Sequence, residues 1–244
     1  MGNKVIGKVG PKLGIYEESN DAQLSASLGQ LREMDDGRKF RLCKAGETLT
    51  AGYSVQAVVN LTAADGLNVA ASAAIGDKEV VIDAVTSAEY AVHALKDGYL
   101  VGAVIAGDIG TFYKIKDNTV MTNGSEATIT LYDGLTNAFV VDSTKITICA
   151  NPYLDVITDA NTAQLIGVPL IAVTDEYYFW ALCEGYGPAV ATAAGIAAGD
   201  YVEHSGGSVL EYDGDADADE APIGVAVTAF TASEGGIVKY FAMG

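Results

Sequence analysis

The chain has 244 residues, enough for one large domain or two small ones, each with a core of its own. Half of the residues are apolar, 28 are Gly and only 19% are charged, which disfavours long amphipathic helices and favours many short strands. A net charge of −18 argues against nucleic acid as a partner, because phosphate contacts need clustered Lys and Arg.

The charge is uneven along the chain. Residues 1–44 carry Lys4, Lys8, Lys12, Arg32, Arg38, Lys39, Arg41 and Lys44 against six acids, whereas 45–244 hold six bases against 26 acids. Residues 1–37 read as an extended N-terminal arm. The start lacks the apolar core of a secretory signal, and MGNKVI has Ile6 where myristoylation needs Ser or Thr. In "SNDAQLSASLGQL" one short helix is expected, capped by Ser19 or Asn20.

The first convincing strand opens in "DGRKFRLCKAG", where Phe40 and Leu42 alternate with Lys39 and Arg41. "GYSVQAVV", "KEVVIDAV", "GYLVGAVI", "FYKIK", "ATITLY" and "KITICA" follow, separated by Gly and Asp turns. Asp-Gly pairs supply the positive-φ positions of tight turns. "TSAEYAVHAL" allows a second short helix, capped by Thr86 or Ser87. These segments define a β-rich domain over 38–150.

A C-terminal β-rich domain is expected over 151–244. In "YYFWALCEG", Tyr177, Phe179, Ala181 and Cys183 share one face and Tyr178, Trp180, Leu182 and Glu184 the other, so burial on both sides is predicted. "GDYVEH", "SVLEYD", "APIGVAVTAF" and "GGIVKYFAMG" complete it. Together these features give a mainly all-β fold of short-stranded sandwich- or barrel-like units, with the arm and one or two short helices. The apolar runs "LVGAVIAG" and "AVATAAGIAAG" are too short to cross a membrane.

Candidate chemistry is sparse. Cys43, Cys149 and Cys183 are odd in number, widely separated and without zinc spacing, so they read as free thiols packed as small hydrophobes. "EYDGDADADEAP" tempts with Asp213, Asp215 and Asp217, but an EF-hand loop from Asp213 would need Gly at Ala218 and Glu at Gly224. The stretch reads as a solvated hairpin connection, with a non-EF cation site on those three aspartates as the competing reading. His93 and His204 are the two histidines, and adjacent His204 and Ser205 on a strand point to opposite faces. With no nucleophile elbow and no phosphate loop, no catalytic residue and no cofactor are expected.

Three stretches carry a resemblance: "LGQLREMDDGRKFRLCKAGETLTAGYSV", "ITICANPYLDVI" with "EYYFWALCEGYGPAV", and the closing "GDYVEHSGG…EAPIGVAVTAFTASEGGIVKYFAMG". They are similar to tailed-bacteriophage capsid decoration (cement) proteins. In those proteins a Gly-Asp-x-Val strand, an Ile-Gly-Val-Ala strand and a final Gly-x-x-Val strand recur. Residues 61–127 match in character alone. The resemblance implies a non-enzymatic virion protein, made in the host cytoplasm. It would sit on the capsid exterior as a homotrimer bound to the major capsid protein. It points to Arg38, Lys39 and Arg41 as charged docking residues and Phe40 as an apolar anchor. The alternative is a virion surface module that binds a host glycan or receptor.

Overall fold

The computed structural model describes residues 13–20, 27–58, 62–83, 89–104, 110–122, 124–192, 195–212, 214 and 221–243. The fold is all-β, and no helix occurs among the described residues. Among the described residues no helix is therefore long and apolar enough to cross a membrane.

The chain divides into two compact units. One combines Met1–Val59 with Pro152–Gly244, and the other is the intervening segment Asn60–Asn151. Residues 38–59 lie with the C-terminal segment rather than with 60–151, because their strand partners are there. Residues 13–20 differ from a free arm. Leu13 and Ile15 are buried in the core, the Trp180 Nε1–H donates to the Leu13 carbonyl at 3.0 Å, and Ser19 bridges to Tyr178.

The discontinuous unit is one curled ten-stranded sheet, every strand pair antiparallel. Its first hairpin joins β1 (Leu31–Glu33) to β2 (Lys39–Lys44) through the turn at Gly37. β3 is the short Val55–Gln56. After the inserted segment come β10 (Ile157–Thr158), β11 (Leu165–Pro169) and the 13-residue β12 (Tyr178–Val190). β13 (Tyr201–Ser205), β14 (Ser208–Glu211), β15 (Gly224–Ala226) and β16 (Gly235–Tyr240) follow.

β12 organises this sheet. Its first half pairs with β2, from Tyr178↔Lys44 to Glu184↔Lys39, and also meets β11. Its second half pairs with β16, from Gly185↔Tyr240 to Val190↔Gly235. The first half is buried on both faces, with Phe179 and Ala181 on one side and Trp180 and Leu182 on the other. That is why its sequence is a continuous apolar run rather than an alternation. Phe40, Leu42, Trp180, Leu182, Val202, Val238 and Tyr240 belong to one core cluster, so both ends of the chain contribute to it.

The inserted unit is a six-stranded antiparallel sheet in the order β4-β9-β6-β7-β8-β5. Its strands are β4 (Thr62–Asn68), β5 (Glu79–Ile82), β6 (Tyr99–Val104), β7 (Phe112–Asn118), β8 (Ala127–Leu131) and β9 (Lys145–Cys149). Its separate core includes Leu100, Ile115, Ile129, Phe139, Ile146 and Ile148. At Asp97-Gly98 the left-handed residue is Asp97, with φ of 62°. Gly98 is required for a different reason: a Cβ there would lie 2.5 Å from the Cys149 carbonyl oxygen.

The helix expected over 86–95 is not formed in its described part, residues 89–95. Tyr90 bridges to Met121, and His93 takes a φ of 69°. The buried Asn118 side chain explains this. Its Oδ1 accepts the Leu95 N–H at 2.8 Å and its Nδ2 donates to the Ala91 carbonyl at 2.9 Å. Those two backbone groups are the i, i+4 pair that an α-helix would join directly. Of the segment 19–31, residues 21–26 lie outside the described residues, and the remainder holds a bridge, turns and the start of β1.

Thr62 and Cys149 are cross-strand partners, so the first and last strands of the inserted unit lie side by side. A fragment covering residues 60–151 is expected to fold alone, because its core and both of its terminal strands are internal. Circular dichroism of that fragment should show a β spectrum that melts cooperatively. A random-coil spectrum would refute an independent core.

Candidate functional site

The quartet Arg38–Arg41 lies at the start of β2, between β1 and β12. Phe40 is fully buried in the core, which corrects its expected role as a surface anchor: alternation along β2 turns the ring inward. Arg38 Nε donates to Asp36 Oδ2 at 2.7 Å, and its guanidinium lies 5.7 Å from the Phe40 ring centre. Lys39 Nζ donates to Glu184 Oε2 at 2.7 Å, and this bond raises the Lys39 pKa above its ordinary value. Arg41 Nη1 donates to the Gly29 carbonyl at 2.9 Å and stacks 5.6 Å from Tyr153.

Two more bases of the N-terminal segment behave alike. Arg32 donates to the Leu13 carbonyl and covers Trp180, while Lys44 pairs with Glu176 and Asp155. Of the eight bases in residues 1–44, five are therefore engaged within the unit. The other three, Lys4, Lys8 and Lys12, lie outside the described residues.

Sequence reasoning missed one polar cluster. Ser54, beside β3, Asp159, after β10, and His204, on β13, come together. His204 Nδ1 and Ser54 Oγ both reach Asp159 Oδ2, at 2.7 and 3.3 Å. A carboxylate only accepts, so the histidine proton sits on Nδ1. The Asn161 N–H donates to Asp159 Oδ1 at 3.0 Å. Burial pushes the Asp159 carboxyl up, but these bonds outweigh it and hold the group below its ordinary value.

The residue types match a hydrolase triad, but the arrangement does not. In such a triad the serine bonds the imidazole nitrogen opposite the one held by the aspartate. Here serine and histidine share one carboxylate oxygen, and Ser54 is buried. The cluster is a latch for the β13–β14 hairpin. At its tip the Ser54 N–H donates to the Gly207 carbonyl at 2.6 Å, and the Gly206 N–H donates to Asn161 Oδ1 at 3.3 Å. Gly207, with φ of 83°, has no room for a side chain, since a Cβ would stand 2.7 Å from Thr158 Cγ2. Buried Gln56 completes the support, accepting from the Ala160 and Thr162 N–H groups.

In the inserted unit, His93 Nδ1 lies 2.5 Å from Asp117 Oδ1 in an exposed pair, and this contact lowers the Asp117 pKa. A cleft of about 500 Å³ in the same unit is lined by Ala71, Ser72, Ala73, Asp77, Lys78, Glu79 and Val81. In the discontinuous unit a cleft of about 350 Å³ is lined by Asp36, Glu184, Tyr186, Lys239 and Phe241 among others. Cys43 and Cys183 are buried free thiols and Cys149 is half-buried, and burial raises the pKa of each. Among the described residues no group of three His, Cys, Asp or Glu is placed to hold a metal ion. The aspartates 213, 215 and 217 lie outside the described residues.

Comparison with known proteins finds no matching family model, no matching curated protein and no matching solved structure.

Asp159→Asn should cost about 2 kcal/mol at neutral pH, as expected for removing a charged acceptor from a buried hydrogen-bond network. Because the folded-state pKa of Asp159 is depressed, its contribution exists above the unfolded value of about 4 and disappears as pH falls through the folded one. Urea unfolding of both proteins from pH 7 to pH 3 should therefore show converging midpoints. A pH-independent difference would contradict this account.

Proposed function

We propose that this chain is a non-enzymatic structural protein that binds the outer surface of a tailed-phage capsid and stabilises the lattice. Its partner is the major capsid protein, and it acts as a homotrimer on the virion exterior. The observation that carries the reading is the arrangement of the closing motif. The Gly-Asp-x-Val segment leads into β13, Ile-Gly-Val-Ala ends in β15 and the last Gly-x-x-Val opens β16. These three are consecutive neighbours in one sheet. Segments separated in sequence thus act as a single structural signature.

The physics of the chain suits such a role. Two stiff β units carry little ordering cost into a complex, and many copies on a lattice multiply weak contacts. An acidic body keeps coated particles apart. Since five bases of the N-terminal segment serve the sheet, docking on an acidic shell falls to Lys4, Lys8 and Lys12.

Co-sedimentation with undecorated head shells of the phage that encodes the chain tests this. The wild-type protein should pellet with shells. A Lys4→Glu/Lys8→Glu/Lys12→Glu variant should bind about tenfold more weakly, with a flatter salt dependence. Failure of the wild-type protein to pellet at low salt would refute capsid binding, and undiminished binding of the variant would refute docking through these lysines.

A further inference from the structure

Isolated β-bridges in the two units follow one plan. In the discontinuous unit Leu49 pairs with Val173 and Ile196 with Phe230, and in the inserted unit Ala73 pairs with Phe139 and Tyr90 with Met121. Each pair exchanges both backbone hydrogen bonds, at 2.8–3.1 Å. Seven of these eight residues are buried, and Tyr90 packs against the core of its unit.

A β-turn follows each of the eight. Its fourth residue donates to the carbonyl of its first, as Asp77 does to Ala74, Ser143 to Val140 and Asp200 to Ala197. Its third residue has positive φ, as a type II turn requires. In every pair that third residue is Gly on one side and a larger residue on the other: Gly52 with Glu176, Gly199 with Ser233, Gly76 with Asp142 and Gly124 with His93.

The correspondence extends beyond the turns. The N–H groups of Gly52, Gly76, Glu176 and Gly199 each donate to the carbonyl four residues before the partner bridge residue, namely Pro169, Leu135, Ala45 and Ala226. Ala45, Leu135 and Ala226 donate in return to the fourth residue of the same turn, Tyr177, Asp77 and Asp200. In both units a carboxylate at that fourth place also accepts the N–H of the turn's first residue. Asp77 accepts from Ala74 at 2.7 Å, Asp200 from Ala197 at 2.8 Å and Glu234 from Thr231 at 3.0 Å.

We infer that the two units are copies of one four-turn building block, and that the chain arose by insertion of one copy into the other. A single type II turn is too common to carry this. Here bridge, turn, return bond and capping carboxylate recur together at the same spacing. The order of pairing agrees. In the inserted unit the pairs are nested, Tyr90–Met121 within Ala73–Phe139, whereas Leu49–Val173 and Ile196–Phe230 follow one another. Moving the first turn of the nested order to its end gives the successive order, so the copies differ by a circular shift. Shifts and insertions of this kind are tolerated where the ends of a unit lie together, and Thr62 and Cys149 are cross-strand partners. Backbone pairing sets the pattern, so few side chains need persist; "AAIGD" (73–77) and "IAAGD" (196–200) still read alike. The inference stands on this pairing and does not depend on capsid binding.

The test exchanges turns between the copies within the full chain. One variant gives residues 231–234 the sequence of 74–77, through Thr231→Ala, Ala232→Ile, Ser233→Gly and Glu234→Asp. Another gives residues 140–143 the sequence of 197–200, through Val140→Ala, Val141→Ala, Asp142→Gly and Ser143→Asp. Both should keep the wild-type circular-dichroism spectrum. In urea, the unfolding constant of the unit carrying the exchange should stay within about threefold of wild type. A control sets the first exchange one position late, through Ser233→Ile, Glu234→Gly and Gly235→Asp. It puts a branched side chain at the positive-φ place and should raise that constant about tenfold or more. Failure of either in-register variant to fold, or a tenfold rise in its unfolding constant, overturns the inference. So does an out-of-register control as stable as the in-register variant, since the turns would then share no common frame.

Discussion

A single strand sets the terms for the discontinuous unit. β12 must satisfy hydrogen bonds along 13 residues, and it does so with partners from opposite ends of the chain. The N-terminal β2 takes its first half and the C-terminal β16 its second. Within that span, β3, β10 and β11 belong to the same sheet, and the chain between β3 and β10 must leave it and return. That requirement accommodates a complete second unit, whose own first and last strands are paired. The Asp159–His204 latch works at the other end of the same sheet, tying the β13–β14 hairpin to the loops beside β3 and β10.

The electrostatics follow from this architecture. A charge count makes residues 1–44 look like a basic arm. Within the fold, most of those bases line β1 and β2, where they bond carbonyls, cover aromatic rings or neutralise Asp36, Glu184 and Glu176. Local bonding and long-range charge are different uses of the same residues, and a guanidinium held against Trp180 or Tyr153 is largely spent on the first.

The strands were legible because their apolar period is local. Ala127–Leu131 alternates both in sequence and in burial, Lys39–Leu42 does so up to the buried Cys43, and the unbroken apolar run of β12 marked burial on both faces. Pairing was not legible, since nothing near Phe40 says that Leu182 lies opposite it. The helix expected at 86–95 had adequate local propensity, but Asn118, more than twenty residues away, captures the backbone groups it needed. Asp159 and His204 carried no mutual signal either; only the Gly206-Gly207 turn beside His204 hinted at a close approach.

The separation between β2 and β12 also shapes how the molecule is made. Phe40 and Leu42 emerge from the ribosome more than 130 residues ahead of the strand that covers them. At ordinary translation speeds that interval is on the order of ten seconds. During it the inserted unit has every strand it needs and can finish folding, while the nascent N-terminal hairpin waits with its apolar side uncovered. Chaperone occupancy on stalled nascent chains should therefore concentrate on the residues around Phe40 and fall once β12 has cleared the exit tunnel.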